Sequence, residues 1–194
     1  MPMPGVFSAI NTRLQTPLVG KNLHTISKGL PEAIVETQEG WVESKQVPGT
    51  DVFIRGKYDL LAKRPDESYI LIDLKISQPN DDKIEKYQSQ LNAYKYALEN
   101  PANGEAKKIS MLALLIFYPD TVKFTNGTAN FSFPPTWLEV PTNGSNFLEF
   151  MKDVDNLLHG PIPEEGEGCK WCKYRHQGET LAHEENVEIE DIQF

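Results

Sequence analysis

Asp73 and Lys75 place a carboxylate and an ammonium two residues apart on a stretch otherwise suited to burial. Tyr69-Ile-Leu-Ile-Asp-Leu-Lys-Ile76 is a short, β-branched, apolar-rich run of strand length. Side chains alternate across a strand, so Leu71, Asp73 and Lys75 share one face and Ile70, Ile72, Leu74 and Ile76 the other. A second carboxylate, Asp59, precedes the turn Arg64-Pro-Asp-Glu-Ser68. If that turn is symmetric about Asp66, Asp59 lies opposite Asp73, with Cβ atoms about 5 Å apart on one face. Like charges that close need a cation or a proton. A divalent metal with oxygen ligands satisfies both, and the backbone carbonyl of Leu74 could add a third ligand. The same register allows a blander arrangement, in which Lys57 faces Lys75. Asp59–Lys75 and Lys57–Asp73 then form diagonal salt bridges on a solvated face, each individually weak. Gly56 counts toward function, because a glycine inside a strand often marks close approach of a ligand or backbone.

The surrounding pattern supplies elements to hold these groups. Residues 6–15 read as a short helix ended by Pro17, with Phe7, Ile10 and Leu14 at helical spacing. Residues 18–38 are weakly patterned. Residues 41–47 and 51–63 read as two strands around Pro48-Gly49, and 69–77 as a third. Pro79-Asn80-Asp81-Asp82 then starts a helix, with Asp82 and Glu85 spaced as a capping box. Ile84, Tyr87, Leu91, Tyr94 and Leu98 form one apolar stripe along it. Residues 108–118 are apolar on both faces, as in a fully buried strand. Residues 122–124 and 129–140 are more peripheral strands, interrupted by Asn126-Gly127, a hairpin signal, and by Pro134-Pro135. Residues 147–158 form a final helix. The order predicts an α/β fold with a central mixed β-sheet flanked by α-helices.

Bulk properties narrow the class. The chain has 194 residues, enough for one domain with a sizeable core. Its longest apolar run, 111–118, is too short to span a bilayer, so no membrane partner is expected. The first residues, Met-Pro-Met-Pro-Gly, lack the basic and apolar regions of a signal peptide, which implies a cytoplasmic protein. In that compartment two cysteines favour a metal site or the remnant of one over a disulfide. The net charge is −9, of which residues 164–194 carry −6. The remainder is nearly balanced and leaves room for a local basic groove.

Taken together, Gly56-Lys-Tyr-Asp59, Ile72-Asp73-Leu74-Lys75 and Gln90-Leu91-x-x-Tyr94 resemble the PD-(D/E)XK nuclease superfamily in its RecB-type branch. The downstream Cys169-Lys-Trp-Cys172-Lys-Tyr174-Arg is similar to that branch's C-terminal cysteine segment. The resemblance covers roughly residues 40–118, plus 161–175. It implies a restriction-endonuclease-like core in residues 1–163, followed by a Cys-pair segment and acidic tail in 164–194. It also implies that Asp59, Asp73 and the Leu74 carbonyl bind Mg²⁺ or Mn²⁺. Lys75 would orient or activate the attacking water and neutralise charge on the scissile phosphate. Gln90 and Tyr94, one helical turn apart, would support the site and contact the nucleic-acid backbone, although Tyr94 also reads as a packing residue. The implied activity is hydrolysis of single- or double-stranded DNA, as an exonuclease in repair, recombination or mobile-element metabolism, with a protein partner in such a complex.

Several residues depart from that pattern. Many members of the branch carry a metal-binding histidine on the first helix, and Asn11 stands at or near its place. His24 is a rival placement, and Glu36 and Glu43 are further carboxylates. An iron–sulfur cluster of the four-cysteine type is excluded within a chain that has two cysteines. Cys169, Cys172, His176 and His183 could instead hold Zn²⁺ tetrahedrally, or the pair could close the segment without metal. The tail 184–194 alternates acidic and apolar residues and could add an edge strand, bind a partner or be disordered. Two further readings stand beside the enzyme: a nuclease-fold subunit that binds nucleic acid or a partner without cutting, and a purely structural domain.

Overall fold

The apolar-rich run that carries Asp73 and Lys75, and the run that is apolar on both faces, become the middle of a sheet. These are β3 (Tyr69–Ile76) and β4 (Ile109–Phe117), paired in parallel. A parallel pair needs a crossover, and α3 (Asp82–Glu99) provides it. On one side β1 (Ile34–Glu43) and β2 (Arg55–Lys63) add antiparallel strands, and on the other β7 (Pro135–Val140) pairs antiparallel with β4. The order is β1-β2-β3-β4-β7, a mixed sheet. This computed structural model describes residues 5–80 and 82–190. It divides into two units, Met1–Asp155 and Asn156–Phe194.

Two apolar layers hold the first unit together. On one face Leu61, Leu71, Leu112 and Leu114 pack with Leu91 and Leu98 of α3, and with Phe147 and Met151 of α4 (Gly144–His159). On the other face Ile70, Ile72 and Leu115 pack with Leu18, Leu23 and Leu30. Leu14 of α1 (Gly5–Gln15) and Leu23 of α2 (Leu23–Ile26) belong to that second layer.

Two strand boundaries differ from the sequence expectation. β1 begins at Ile34 and ends at Glu43, whereas 41–47 had the strand pattern. Its polar residues 36–39 fit an edge strand, which needs little apolar pattern. Val47, Val52 and Ile54 look strand-like because they pack into the core from a loop, closed by Ser44 N–H to the Ile54 carbonyl and Val47 N–H to the Val52 carbonyl, both 2.8 Å. At the start of α3, Asn80 Oδ1 accepts the Asp82 N–H at 3.0 Å and Asn80 Nδ2 donates to Asp82 Oδ2 at 3.0 Å.

Residues 122–140 also rearrange. β5 (Thr121–Thr125) and β6 (Thr128–Ser132) form a separate two-stranded sheet. Asn126 (φ 50°) and Gly127 (φ 77°) make its tight turn, both in the left-handed region that such hairpins require. In the second unit α5 (Lys170–Glu190) runs as a helix through much of the tail for which an edge strand was one option. Residues 191–194 lie outside the described set. No described helix is long and apolar enough to cross a membrane.

Candidate active site

The turn centred on Asp66 sets the register that its symmetry suggests: Lys63 pairs with Tyr69, Ala62 with Ile70, Leu61 with Leu71 and Leu60 with Ile72. The paired ladder ends there. Beyond that point the Leu74 N–H donates to Asp59 Oδ2 at 2.8 Å, so a side chain replaces the backbone partner. β1 and β2 are irregular at the same level. Gln38 pairs with Leu60 and Gly40 with Tyr58, while Glu39 (φ 53°) and Asp59 between them are skipped. Tyr58 packs in the α3-side layer and Leu60 in the opposite one, although strict alternation would put both on one face. The facing therefore flips at Asp59. Its carboxylate reaches toward the β3 backbone, not simply out of a shared face beside Asp73.

Charge in this gap exceeds what local donors satisfy. Asp73 is 5% exposed, and Lys75 Nζ stands 2.6 Å from its Oδ2 as an ion pair. Burial first, and then the Asp73 charge, push Asp59 up to about 6, against the opposing pull of the Leu74 N–H and Lys75. Asp73 is raised as well, again by burial, while Lys75 and a hydrogen bond with Asp59 oppose the rise. The diagonal salt-bridge ladder does not form. The Lys57 ammonium bonds Glu39, and Lys75 pairs with Asp73 on its own strand. Nor is Asp73 on a solvated face.

A cleft of about 680 Å³ opens at this point, between Asn11 and Thr12 of α1, Glu39, Asp59, Leu74 and Lys75 of the sheet, and Lys86 and Tyr87 of α3. Lys75 Nζ lies 4.5 Å from the centre of the Tyr87 ring, a cation–π contact. Glu39, Lys86 and Tyr87 escape the sequence reading. Tyr87 sits on the same apolar stripe as Tyr94, and spacing does not say which ring borders a cleft. Another hollow, of about 620 Å³, is lined by Val19, Ile34, Val35 and Pro65, well removed from the carboxylate pair in the sheet register.

The remaining candidates separate. Gln90 is exposed on α3, and Tyr94 packs on β2, where a Cβ added at Gly56 would stand 2.6 Å from the ring. Neither lines the cleft. The close approach at Gly56 is thus that of a side chain. His24 is turned to the Leu30 carbonyl at 3.2 Å, Glu36 borders the other hollow, and Glu43 pairs with Arg55 at 3.6 Å.

In the second unit the Cys172 thiol donates to Cys169 Sγ at 2.7 Å, and the Cys172 N–H does so at 3.3 Å. Both bonds hold Cys169 below the usual thiol range. His176 turns away to Glu165 (2.9 Å) and Glu179 (3.2 Å). The structure therefore brings the cysteines together without His176, and the His183 side chain lies outside the described residues.

A family model described as the PD-(D/E)XK nuclease superfamily matches residues 10–177. The chain belongs to the PD-(D/E)XK nuclease superfamily. The five-stranded mixed sheet flanked by helices is the restriction-endonuclease-like α/β fold of that superfamily. Among solved structures, SSO0001 is similar with a TM-score of 0.48 and 16% identity, over 86% of this chain and 66% of that one. No curated protein matches the chain. PD-(D/E)XK nucleases typically use Mg²⁺ or Mn²⁺, and the donor set suits a hard cation: two under-neutralised carboxylates, with Asp59 and Leu74 bordering the cleft. Among the described residues no cluster of three or more His, Cys, Asp or Glu is grouped to hold a metal.

Proposed function

We propose that the chain is a Mg²⁺- or Mn²⁺-dependent deoxyribonuclease of the RecB-type branch, cutting phosphodiester bonds in the cleft beside α1. One observation carries the reading. Two carboxylates from neighbouring strands converge where the ladder ends, one of them pushed up to about 6, with a lysine ammonium alongside. A structural salt bridge needs no second, half-buried acid beside it.

Asp59, Asp73 and the Leu74 carbonyl would hold the ion. When bound, it supplies Lewis-acid polarisation of the phosphoryl oxygen and stabilises charge on the attacking and leaving oxygens. Lys75 sets a positive charge against the scissile phosphate and orients the water, and the Tyr87 ring beneath it restricts where that ammonium can go. Lys86, on the cleft wall, is placed to meet a neighbouring phosphate. Contacts of this kind carry no base information, so cutting is expected to be largely independent of sequence. The RecB-type motifs support exonuclease work in repair, recombination or mobile-element metabolism, within a complex that includes a protein partner.

A second reading rests on Asn11, which does line the cleft. As a poor divalent ligand it would weaken one metal position, leaving a subunit that binds nucleic acid without cutting. Incubation of single- and double-stranded DNA with Mn²⁺ separates the two. The unmutated chain is expected to degrade DNA, and Asp73→Ala and Lys75→Ala to lose activity by roughly 100-fold or more. Full activity in both variants sinks the site. Metal-independent binding with no cleavage under Mn²⁺ favours the subunit.

A further inference from the structure

The outward face of the β1–β2 hairpin lies next to the cleft and carries an arrangement the cutting chemistry does not use. Beyond the flip at Glu39 and Asp59, Gly40, Val42, Gly56 and Tyr58 face α3. A Cβ at Gly40 would meet the Tyr58 ring, a Cβ at Gly56 would meet Tyr94, and Val42 is in the core. Trp41, Glu43, Arg55 and Lys57 therefore occupy the opposite face. Trp41 is paired with Lys57 and Glu43 with Arg55.

Trp41 is 72% exposed, an unusual state for an indole in the middle of a strand. The Arg55 guanidinium sits 6.0 Å from its ring centre, and the Lys57 ammonium reaches Glu39 at the lip of the cleft. Beside the ring is a hollow of about 260 Å³, bordered by Glu43, Arg55 and Asn103. That is smaller than a typical small-molecule site of ~300–1,000 Å³ and better suited to a fragment such as one base.

We propose that this face receives single-stranded nucleic acid continuing from the cleft, with Trp41 stacking on an unpaired base and Arg55 and Lys57 meeting the adjoining phosphates. Two observations select that occupant. An exposed indole flanked by two cations offers both of the contacts that single strands need, a stacking platform and phosphate partners. The face also adjoins the cleft, because Lys57 on it pairs with the cleft residue Glu39. Trp41 lies two residues beyond Glu39, about 7 Å along the strand, or roughly two stacked-nucleotide rises. A duplex hides its base faces in its own stack and gains nothing from the indole. The exposed ion pairs to Glu39 and Glu43 are weak enough for phosphate to exchange with them. The proposal rests on the nucleic-acid reading of the cleft and deepens it by naming the strand form.

The test is fluorescence anisotropy of the full chain with a labelled oligothymidylate in EDTA, where no cutting occurs, alongside a duplex of equal length. Trp41→Ala is expected to weaken oligothymidylate binding by roughly 5- to 100-fold. Trp41→Phe should keep most of it, and duplex binding should not change. Arg55→Gln with Lys57→Gln should flatten the dependence of log K on log salt by about 1.4. A thermal melt of Trp41→Ala matching the unmutated chain removes misfolding as the cause. Equal oligothymidylate affinity for the unmutated chain and Trp41→Ala overturns the proposal, as does binding confined to duplex. Cleavage assays keep the two ideas apart. A Trp41-dependent binder that never cuts refutes the nuclease and leaves this site standing, whereas an active nuclease indifferent to Trp41 does the reverse.

Discussion

Replacing Asp59 by asparagine should stabilise the metal-free protein at neutral pH while removing its response to metal. The carboxyl is raised from 3.8 to about 6 in the fold. A folded state that holds a proton more tightly than the unfolded chain is favoured at low pH, so this contribution is complete below about pH 4. It fades as pH rises through about 6 and stays absent above that. At 1.36 kcal/mol per pKa unit, the charged carboxylate costs about 3 kcal/mol at pH 8. Asp59 borders the cleft, where water relieves part of this, so about 1–3 kcal/mol is the working range. Asparagine is neutral, and its Oδ1 can still accept the Leu74 N–H. At roughly 2–4 °C per kcal/mol for a protein of this size, Asp59→Asn should melt about 2–12 °C higher in EDTA at pH 8, with almost no gap at pH 4. Added Mn²⁺ should raise the melting temperature of the unmutated chain by mass action and leave the variant nearly unchanged. Calorimetry from pH 4 to 8, with and without Mn²⁺, reads all of this. A variant no more stable than the unmutated chain at pH 8, or a gap that does not change with pH, would refute the electrostatic reasoning.

Two further outcomes follow from packing and from thiol chemistry. Gly56→Ala puts a Cβ 2.6 Å from the Tyr94 ring and should cost roughly 1–3 kcal/mol by urea titration; the loss should shrink when Tyr94 is also shortened to leucine. Cys169 is held below, and Cys172 above, the usual thiol range by the hydrogen bonds between them. Limited iodoacetamide treatment at pH 7.5 should therefore label Cys169 first by peptide mass spectrometry; equal labelling would contradict that order.

Some features of the sheet were legible in residue order because the interactions behind them are local. The Arg64–Ser68 turn is held in part by its own side chains, with Asp66 Oδ1 accepting the Ser68 N–H at 3.1 Å and the Ser68 hydroxyl at 2.6 Å. A turn held that way sets the register of the strands it joins, so the pairing from Lys63–Tyr69 to Leu60–Ile72 could be read from the chain. The central position of β4 follows from apolar residues on both faces, since only a covered strand tolerates them. Val47 and Ile54 misled for the converse reason: burial from a loop leaves the same apolar pattern as burial from a strand.

By itself the sequence determined that Asp59 and Asp73, with Lys75 two residues beyond the second acid, would come from adjacent strands of a mixed sheet. That needed only strand patterning and the turn signal between the two runs. The tertiary structure alone decided that the ladder stops at Leu60 and Ile72, that facing flips at Glu39 and Asp59, and that Tyr87 rather than Tyr94 borders the cleft. Each of these depends on how strands separate and where a helix crosses them. Contacts between residues distant in the chain set those geometries, and residue spacing within one element carries no record of them.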